Sequence, residues 1–342
     1  MIPLIVIAGP TAIGKSDVAF ELAKRLNTEI ISADSMQVYR YFNIGTAKPS
    51  LEKRKEIPHH LIDIVNPDEG FSAGDFNERA FKIAEELHRK GKIPLVAGGT
   101  GLYIKALINN LGCGVKKDSE IREKIKSEFK DFGEEAMYEK LKTVDPQAAD
   151  KIHPKDRYRI ERALEVYYSS GKPISEFHKD DKKQWSVVSG QWSAEKKKIR
   201  FNVRYFVLNM VRERLYKRIE ERVDKMVSAG LLNETKNILN MGYDKNLKPF
   251  QSLGYLQMIE YLDNPPSPPF NKGGMGGFDS AVQEIKKETR RFAKRQLTWF
   301  RGVNPAHMHM CGVKDAIWID VTEVENIKDI STQIYRMCHE SM

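Results

Sequence analysis

The chain has 342 residues, of which 41% are hydrophobic and 30% charged, and its formal net charge is +9. Such a length is more typical of two structural units than of one, and the composition is ordinary for a soluble globular protein. The basic balance suits a polyanionic partner, although many enzymes are mildly basic without one. No stretch reaches the ~18 apolar residues of a membrane span, which excludes a transmembrane protein and predicts no membrane partner.

Three widely spaced cysteines, Cys113, Cys311 and Cys338, include no C-x-x-C pair. They argue against a disulfide scaffold or a zinc site, and they fit a reducing cytoplasm, where we expect the protein to reside. The N-terminal run MIPLIVIAGP has no basic flank and leads directly into a glycine loop. We therefore interpret it as a buried strand and not as a signal peptide.

Short apolar runs alternate with helical patterns along most of the chain, which predicts an α/β doubly wound core. Continuous apolar runs are typical of strands buried on both faces of a parallel sheet. The predicted strands cover residues 4–8, 29–33, 60–65, 93–97, 203–208 and 316–321.

One long segment differs from this pattern. Residues 117–195 are charged, helical by period and poor in strand runs, which predicts a helical insertion domain. Residues 1–116 and 196–342 would then form the catalytic core, in which residues 212–242 continue as helices. Residues 263–280 are rich in proline and glycine and predict a flexible surface insertion.

The last long helical pattern, residues 281–302, has an apolar face and a cationic face. The apolar face comprises Ile285, Phe292, Ala293, Leu297 and Phe300. The cationic face, close to Trp299, comprises Lys287, Arg290, Arg291, Lys294 and Arg301. A solvated surface and a nucleic-acid contact account for this face equally well.

The strongest local signal is the string GPTAIGKS, which fits the P-loop pattern G-x-x-x-x-G-K-[ST] between a strand and a helix. Its glycines let backbone amides wrap a phosphate, and the helix N-terminus directs partial positive charge at it. Lys15 adds a full charge, and Ser16 is the predicted ligand of Mg²⁺, the expected cofactor. The predicted di- or triphosphate site, of the kind found in ATP-binding proteins, comprises Gly9, Pro10, Thr11, Ala12, Ile13, Gly14, Lys15 and Ser16.

Two further polar groups follow predicted strands. Asp34 ends the second strand and should face the P-loop phosphate, because ligands bind beyond the carboxyl ends of parallel strands. It could serve as a general base, a metal ligand or a helix N-cap. Thr100 lies in a second glycine loop after residues 93–97, at the same edge, and is a candidate hydrogen-bond partner of a substrate. Asp63 matches a Walker B acid only loosely.

Together the motifs resemble the tRNA dimethylallyltransferase family, also called tRNA isopentenyltransferases. The matching strings run in family order across nearly the whole chain: GPTAIGKS, DSMQVY, IGTAKP, PHHLID, AGDF, GGTGLYIKAL, RIERALEVY, QSLGY and TRRFAKRQLTWFR. Any one string is a modest match, but the set is highly specific. Residues 263–278 look like an insertion that breaks no motif.

The resemblance implies a P-loop NTPase-like parallel sheet core with an inserted helical domain that grips tRNA. It implies transfer of a dimethylallyl group from dimethylallyl diphosphate to N6 of adenine 37, beside the anticodon. The P-loop would then hold the leaving diphosphate, with Lys15 and a Mg²⁺ ion on Ser16 stabilising its charge. Asp34 would accept the N6 proton, and Thr100 would lie near the same centre.

The resemblance also implies that the target base leaves its stack and enters a channel opposite the donor. Arg218 and Arg222 lie one helical turn apart and either reach the diphosphate or form a solvated pair. We expect a monomer that binds the anticodon stem-loop. The implied tRNA contacts are Asp34, Ser35, Met36, Gln37, Thr100, Arg122, Arg159, Arg162, Gln251, Ser252, Gly254, Tyr255, Lys294, Arg295 and Gln296.

Two other functions share part of this pattern. A small-molecule P-loop transferase, either a kinase or an enzyme that prenylates free adenine nucleotide, would share the P-loop and Asp34. It would have less need of a helical insertion and a basic face. A non-catalytic RNA-binding protein on an NTPase fold has no need of an intact set of Lys15, Ser16, Asp34 and Thr100.

Overall fold

The structure is a computed structural model. It describes residues 1–110, 118–179, 183–188, 191–196, 200–264, 277–302, 313–324 and 326–339. Its two compact units are the core unit, Met1–Asn110 with Ile199–Met342, and the inserted unit, Leu111–Lys198.

A parallel sheet forms the centre of the core unit. The strands in the described ranges are β1 (Ile2–Ala8), β2 (Ile30–Ser32), β3 (His59–His60), β4 (Leu95–Gly98), β5 (Lys183–Val188), β6 (Gln191–Lys196), β7 (Phe201–Asn209) and β8 (Val313–Asp320). Six of them make one sheet in the order β3-β2-β4-β1-β7-β8, and every pairing in it is parallel. The predicted α/β parallel core is therefore confirmed.

Helices cover both faces of this sheet. Among the described residues, the core unit contains the helices α1 (Lys15–Leu26), α2 (Leu51–Glu56), α3 (Ala73–Arg89), α4 (Gly101–Asn109), α9 (Arg212–Ser228), α10 (Leu231–Asn240), α11 (Tyr255–Asp263), α12 (Phe278–Arg301) and α13 (Ile327–His339). The inserted unit contains α5 (Ser119–Val144), α6 (Pro146–Ala149), α7 (Arg157–Ser170) and α8 (Ile174–Lys179). No helix in the described ranges is both long and apolar enough to cross a membrane.

The apolar run of β1 belongs to two hydrophobic clusters, one on each face of the sheet. Leu4 and Val6 pack into one cluster, while Ile5 and Ile7 pack into the other. Because side chains alternate along a strand, a strand covered on both faces needs an unbroken apolar run. This explains why residues 4–8 carry no polar side chain.

The structure corrects one strand prediction in the core unit and confirms one helical prediction. The strand predicted at 60–65 is wrong beyond His60, because Leu61 and Asp63 have positive φ angles of 65° and 57° that end the extended backbone. The helices predicted over 212–242 are confirmed as α9 and α10, which separate at Gly230, where φ is 97°. Glycine adopts this angle without steric cost, so the chain turns there.

The inserted unit has its own hydrophobic cluster, to which α5, α6 and α7 contribute. Helix α5 is kinked at Gly133, where φ is 80° and ψ is 173°. The segment predicted to be helical and poor in strand runs also contains one pair of strands, since β5 and β6 form an antiparallel hairpin.

Helix α12 differs from its prediction on both faces. Phe292, placed on the apolar face, is 36% exposed, and the buried side instead includes Thr289 and Gln296. Three of the five predicted surface cations form ion pairs with acidic side chains. These pairs are Lys287–Glu284, Arg290–Glu220 and Arg291–Glu288.

Two sequence features fall largely outside the described residues. Of the predicted insertion at 263–280, residues 265–276 are not described, and α12 already begins at Phe278. Of the three cysteines, Cys338 is buried and free, while Cys113 and Cys311 are not described.

Candidate active site at the carboxyl edge of the sheet

Three neighbouring strands end at the same level. Ala8 pairs with Gly98, and Ser32 pairs with Ala97, so the carboxyl ends of β1, β2 and β4 lie side by side. The P-loop follows β1, Asp34 follows β2, and Thr100 follows β4. The edge rule for open parallel sheets thus places all three groups where a ligand would bind.

The P-loop connects β1 to α1 through backbone that favours glycine. Gly9 and Gly14 have φ angles of 145° and 99°, and Ala12 between them has 64°. A Cβ on Gly9 would lie 2.8 Å from the carbonyl oxygen of Leu208 in β7. Ile13 is buried in the hydrophobic core and so anchors the loop to it. No side chain caps α1, so its first amides are left to an anion.

Lys15 lies inside this loop. Its Nζ donates a hydrogen bond of 2.6 Å to the carbonyl oxygen of Pro10. Burial, and then the charge of Arg222, lower the pKa of Lys15 to about 7, against the opposing charge of Asp34. Ser16, the next residue, is exposed. A bound anion would restore the full charge of Lys15, because an opposite charge favours the protonated form.

Arg218 and Arg222 extend this positive charge from α9. The guanidinium of Arg218 lies 3.4 Å from where a Cβ on Gly14 would be. Burial lowers the pKa of Arg222, and the charges of Asp34 and Asp17 oppose this effect. Both arginines are half-buried, and neither pairs with a carboxylate in the part of the chain that the structure describes. The arrangement favours diphosphate contact over a solvated pair, and the role of both residues stays a prediction.

Asp34 uses one carboxylate oxygen to close a turn. Its Oδ1 accepts hydrogen bonds from the backbone amides of Met36 at 2.8 Å and Gln37 at 3.2 Å. Its Oδ2 has no hydrogen-bond partner among the described residues. The N-cap alternative is wrong, because residues 35–38 form turns and no helix begins there. The first oxygen fixes the carboxylate in the turn, while the second remains available for a chemical role.

Thr100 is joined directly to the segment that carries Asp34. Its Oγ1 accepts a hydrogen bond of 3.0 Å from the amide of Ser35, so the hydroxyl hydrogen remains available to a substrate. Its own amide donates to the carbonyl of Ala33 at 3.1 Å. A Cβ on Gly98 would lie 2.1 Å from that same carbonyl oxygen. Only glycine allows the two loops to approach this closely.

Gln296, on α12, joins the P-loop to the loop of Thr100. Its Oε1 accepts from the amide of Thr11 at 2.8 Å, and its Nε2 donates to the carbonyl of Gly99 at 3.0 Å. Gln37 is also engaged inside the protein. Its side chain accepts from Ser32 at 3.0 Å and donates to the carbonyl of Thr46 at 3.1 Å. Their contacts with tRNA stay predictions, and both side-chain amides form hydrogen bonds within the protein.

The predicted stretch from 251 to 255 lies at the start of α11. Tyr255 is buried, and its hydroxyl donates to Glu234 at 2.5 Å and accepts from the amide of Gly45 at 3.0 Å. Gly254 donates to Gln257 at 2.9 Å. The exposed Gln251 and the half-buried Ser252 hydrogen-bond to nearby backbone carbonyls.

Sequence reasoning missed the role of Glu234. Its carboxylate accepts hydrogen bonds from the amides of Asn43 at 3.1 Å, Ile44 at 2.9 Å and Gly45 at 3.4 Å. It thereby holds a loop whose later carbonyls accept from Gln37, a residue in the turn that Asp34 closes. The sequence gives no local signal for this role, because the loop amides that donate to Glu234 lie about 190 residues away.

Three predicted tRNA contacts lie in the inserted unit. Arg122 and Arg162 both bind the buried carboxylate of Glu165, with shortest distances of 2.7 Å and 2.8 Å. Arg159 is exposed and pairs with Asp156 at 3.4 Å. Lys294 and Arg295, in the core unit, are exposed on α12. The contacts of all these residues with RNA stay predictions.

Asp63 has a structural role that differs from a Walker B acid. It binds Lys48 and Arg54, each at 2.6 Å, and it does not lie on a strand. The described residues contain no group of three or more His, Cys, Asp or Glu side chains that could hold a metal ion. A metal here would depend on Ser16 and on oxygens of the ligand, as Mg²⁺ often does.

The comparisons with known proteins agree with one another. The family model described as IPP transferase matches residues 37–303. A tRNA dimethylallyltransferase of Syntrophobacter fumaroxidans is 46% identical over 300 residues, covering 88% of this chain and 81% of that protein. The structure of a Bacillus halodurans tRNA isopentenylpyrophosphate transferase is 36% identical with a TM-score of 0.65, covering 99% of this chain and 98% of that one. A eukaryotic dimethylallyltransferase acting on tRNA is 28% identical with a TM-score of 0.78, covering 98% and 78%.

Proposed function

This chain belongs to the IPP transferase family, and from that premise we propose that it prenylates tRNA. It transfers a dimethylallyl group from dimethylallyl diphosphate to N6 of adenine 37 and releases diphosphate. One observation carries the proposal: the P-loop, Asp34 and Thr100 follow the neighbouring strands β1, β2 and β4 at one edge of the sheet, and Thr100 accepts a hydrogen bond from the amide of Ser35 beside Asp34. A group that accepts a proton therefore lies at the same edge as a loop suited to a leaving diphosphate.

The leaving group is stabilised at the P-loop. The C1–O bond of the donor breaks, and its electron pair departs with the diphosphate. The loop amides, Lys15, Arg218 and Arg222 stabilise the negative charge that develops there. Lys15 is only partly protonated near pH 7 without ligand, and a bound diphosphate raises its pKa, so the charge is complete when it is needed.

The acceptor is handled from β2 and β4. The N6 lone pair forms the new bond to C1, and the N6 proton passes to Oδ2 of Asp34. Thr100 donates its free hydroxyl hydrogen to an acceptor nitrogen of the adenine ring and fixes the orientation of the base. Because the amide of Ser35 binds Thr100, both groups keep one relative position.

The exposed hydroxyl of Ser16 has no described hydrogen-bond partner, which fits a role as a ligand of Mg²⁺ beside diphosphate oxygens. When bound, the ion would neutralise part of the negative charge that develops on the departing diphosphate. We place the protein in the cytoplasm as a monomer, with the inserted unit as the part that grips the anticodon stem.

Transfer of label from a radiolabelled prenyl donor to tRNA or to AMP tests the acceptor. We expect label on tRNA alone, and label on AMP alone would contradict the proposal. Asp34→Asn keeps an oxygen that accepts from the amide of Met36 but cannot take a proton, so the rate should fall by about 10²–10⁴-fold while tRNA still binds. Asp244→Asn is the matched control, because Asp244 makes the same turn with the amide of Asn246 at 2.8 Å. A wild-type rate for Asp34→Asn would remove its role as a base.

A further inference from the structure

Helix α12 carries an aromatic stripe that no step of the proposed reaction uses. We define it as Phe292, Arg295 and Trp299, which share one face because they are three and four residues apart. Phe292 is 36% exposed and Trp299 is 37% exposed. The guanidinium of Arg295 lies over the Phe292 ring, 5.8 Å from its centroid. The stripe is a solvent-facing row of two flat rings and a planar cation.

The stripe starts beside the candidate active site. A Cβ on Gly101 would lie 1.9 Å from Nε1 of Trp299, so the indole touches the first turn of α4. Gly101 follows Thr100, whose hydroxyl binds the Asp34 segment. One turn earlier on α12, Gln296 binds both site loops. Trp299 is thus held at the rim of the site, and its indole N–H donates to no acceptor in the ranges that the structure describes.

The charges on α12 are segregated around this stripe. The cations of its first half are neutralised by the ion pairs with Glu284, Glu220 and Glu288. Lys294, Arg295 and Arg301, which flank Trp299, form no ion pair with a described carboxylate. Free positive charge and exposed aromatic rings therefore coincide on the half of the helix that borders the site.

We propose that the stripe stacks the unpaired nucleotides that flank the target adenine, which rests on the proposed function. When an adenine is extruded from a loop, its neighbours lose a stacking partner. Aromatic and guanidinium planes replace that partner in proteins that bind single-stranded RNA, while nearby cations contact phosphates. Trp299 receives the base next to the target, and Arg295 with Phe292 receives the following one.

The test measures binding of a synthetic anticodon stem-loop RNA and transfer from the prenyl donor. Trp299→Leu fills the space on Gly101 without an aromatic plane, and we expect at least about fivefold weaker RNA binding. Trp299→Phe should retain binding within about twofold of wild type, because a phenyl ring still stacks. Trp318→Leu is the matched control, since Trp318 is 39% exposed on the edge strand β8 and should leave binding unchanged.

An abasic site on either side of the target adenine completes a double-mutant cycle. One of the two abasic RNAs should bind wild type more weakly than the intact RNA does. For that RNA, Trp299→Leu should lower the affinity only slightly further. The proposal would be overturned if the abasic site weakened RNA binding equally in wild type and in Trp299→Leu. It would also be overturned if Trp299→Leu raised the KM for the prenyl donor and left RNA binding unchanged. If Trp299→Leu does not fold, Arg295→Met with the same RNAs decides the question. Trp299-dependent RNA binding without prenyl transfer by wild type would refute the proposed function and leave the stripe standing.

Discussion

Replacing Lys15 by Met should make the ligand-free protein more stable and the enzyme inactive. The P-loop holds an ammonium whose pKa burial lowers from 10.5 to about 7. Taken whole, that shift costs about 4 kcal/mol of folding free energy at pH 7. Partial exposure of the residue reduces the cost to about 2–3 kcal/mol. The variant also loses the hydrogen bond from Lys15 to the carbonyl of Pro10, which lowers its gain in stability by about 1 kcal/mol.

The net gain of about 1–2 kcal/mol corresponds to a rise in Tm of roughly 1–3 °C for a chain of 342 residues. Its pH dependence has a definite sign. The unfolded chain keeps the Lys15 proton up to about pH 10.5, whereas the folded protein releases it near 7. Between these values the wild type gains stability as pH rises, so the advantage of Lys15→Met shrinks by up to about 1.4 kcal/mol per pH unit above pH 7.

Thermal melts of both proteins at several pH values, with and without pyrophosphate, provide the assay. At a hundredfold excess over its Kd, pyrophosphate should stabilise the wild type by about 2.7 kcal/mol and the variant far less. A ligand-free variant that melts below wild type at every pH would refute the reasoning about burial. Equal stabilisation by pyrophosphate would show that Lys15 does not bind the anion.

Three further changes test the scaffold. Gly98→Ala puts a Cβ 2.1 Å from the carbonyl oxygen of Ala33 and should lose about 2–4 kcal/mol and most activity, whereas Gly74→Ala meets nothing closer than 3.6 Å and should be neutral in urea unfolding. Glu234→Ala leaves three backbone amides without their acceptor and should lower the free energy of unfolding by about 2–4 kcal/mol; an unchanged urea midpoint would contradict this. The pKa of Glu165 is lowered by its two arginines although burial opposes this, so its stabilisation is present above its unfolded pKa and lost as pH falls through the folded one. Glu165→Gln should therefore be less stable at pH 7, with a difference that narrows in acid melts.

Much of the site could be predicted from the sequence because its signals are local. The P-loop pattern fixes its own backbone, and the apolar run before it predicts a strand buried on both faces. Asp34 and Thr100 follow two further strands, and the rule for parallel edges then brings both beside Lys15. Each step needs only neighbouring residues and one topological principle.

The rest depends on partners far apart in the chain. Gln296 meets Thr11 across 285 positions, and nothing near either residue predicts the other. Phe292 fits the apolar period of α12 yet is exposed, because two polar side chains, Thr289 and Gln296, are buried on that helix instead. Periodicity predicts which face of a helix is buried. Which side chains are buried on that face also depends on the polar groups of the opposing surface, because these need hydrogen-bond partners.

The sheet order also determines when the site can be completed during synthesis. Strand β1 pairs with β4 on one side and with β7 on the other, and β7 begins only at Phe201. At about 5–20 residues per second, the ribosome takes roughly 10–40 s to reach it after β1 is made. During that interval the central strand keeps one edge unsatisfied, and Gln296 does not yet exist to join the two loops. The nascent N-terminal part therefore carries the full P-loop sequence without a finished catalytic edge.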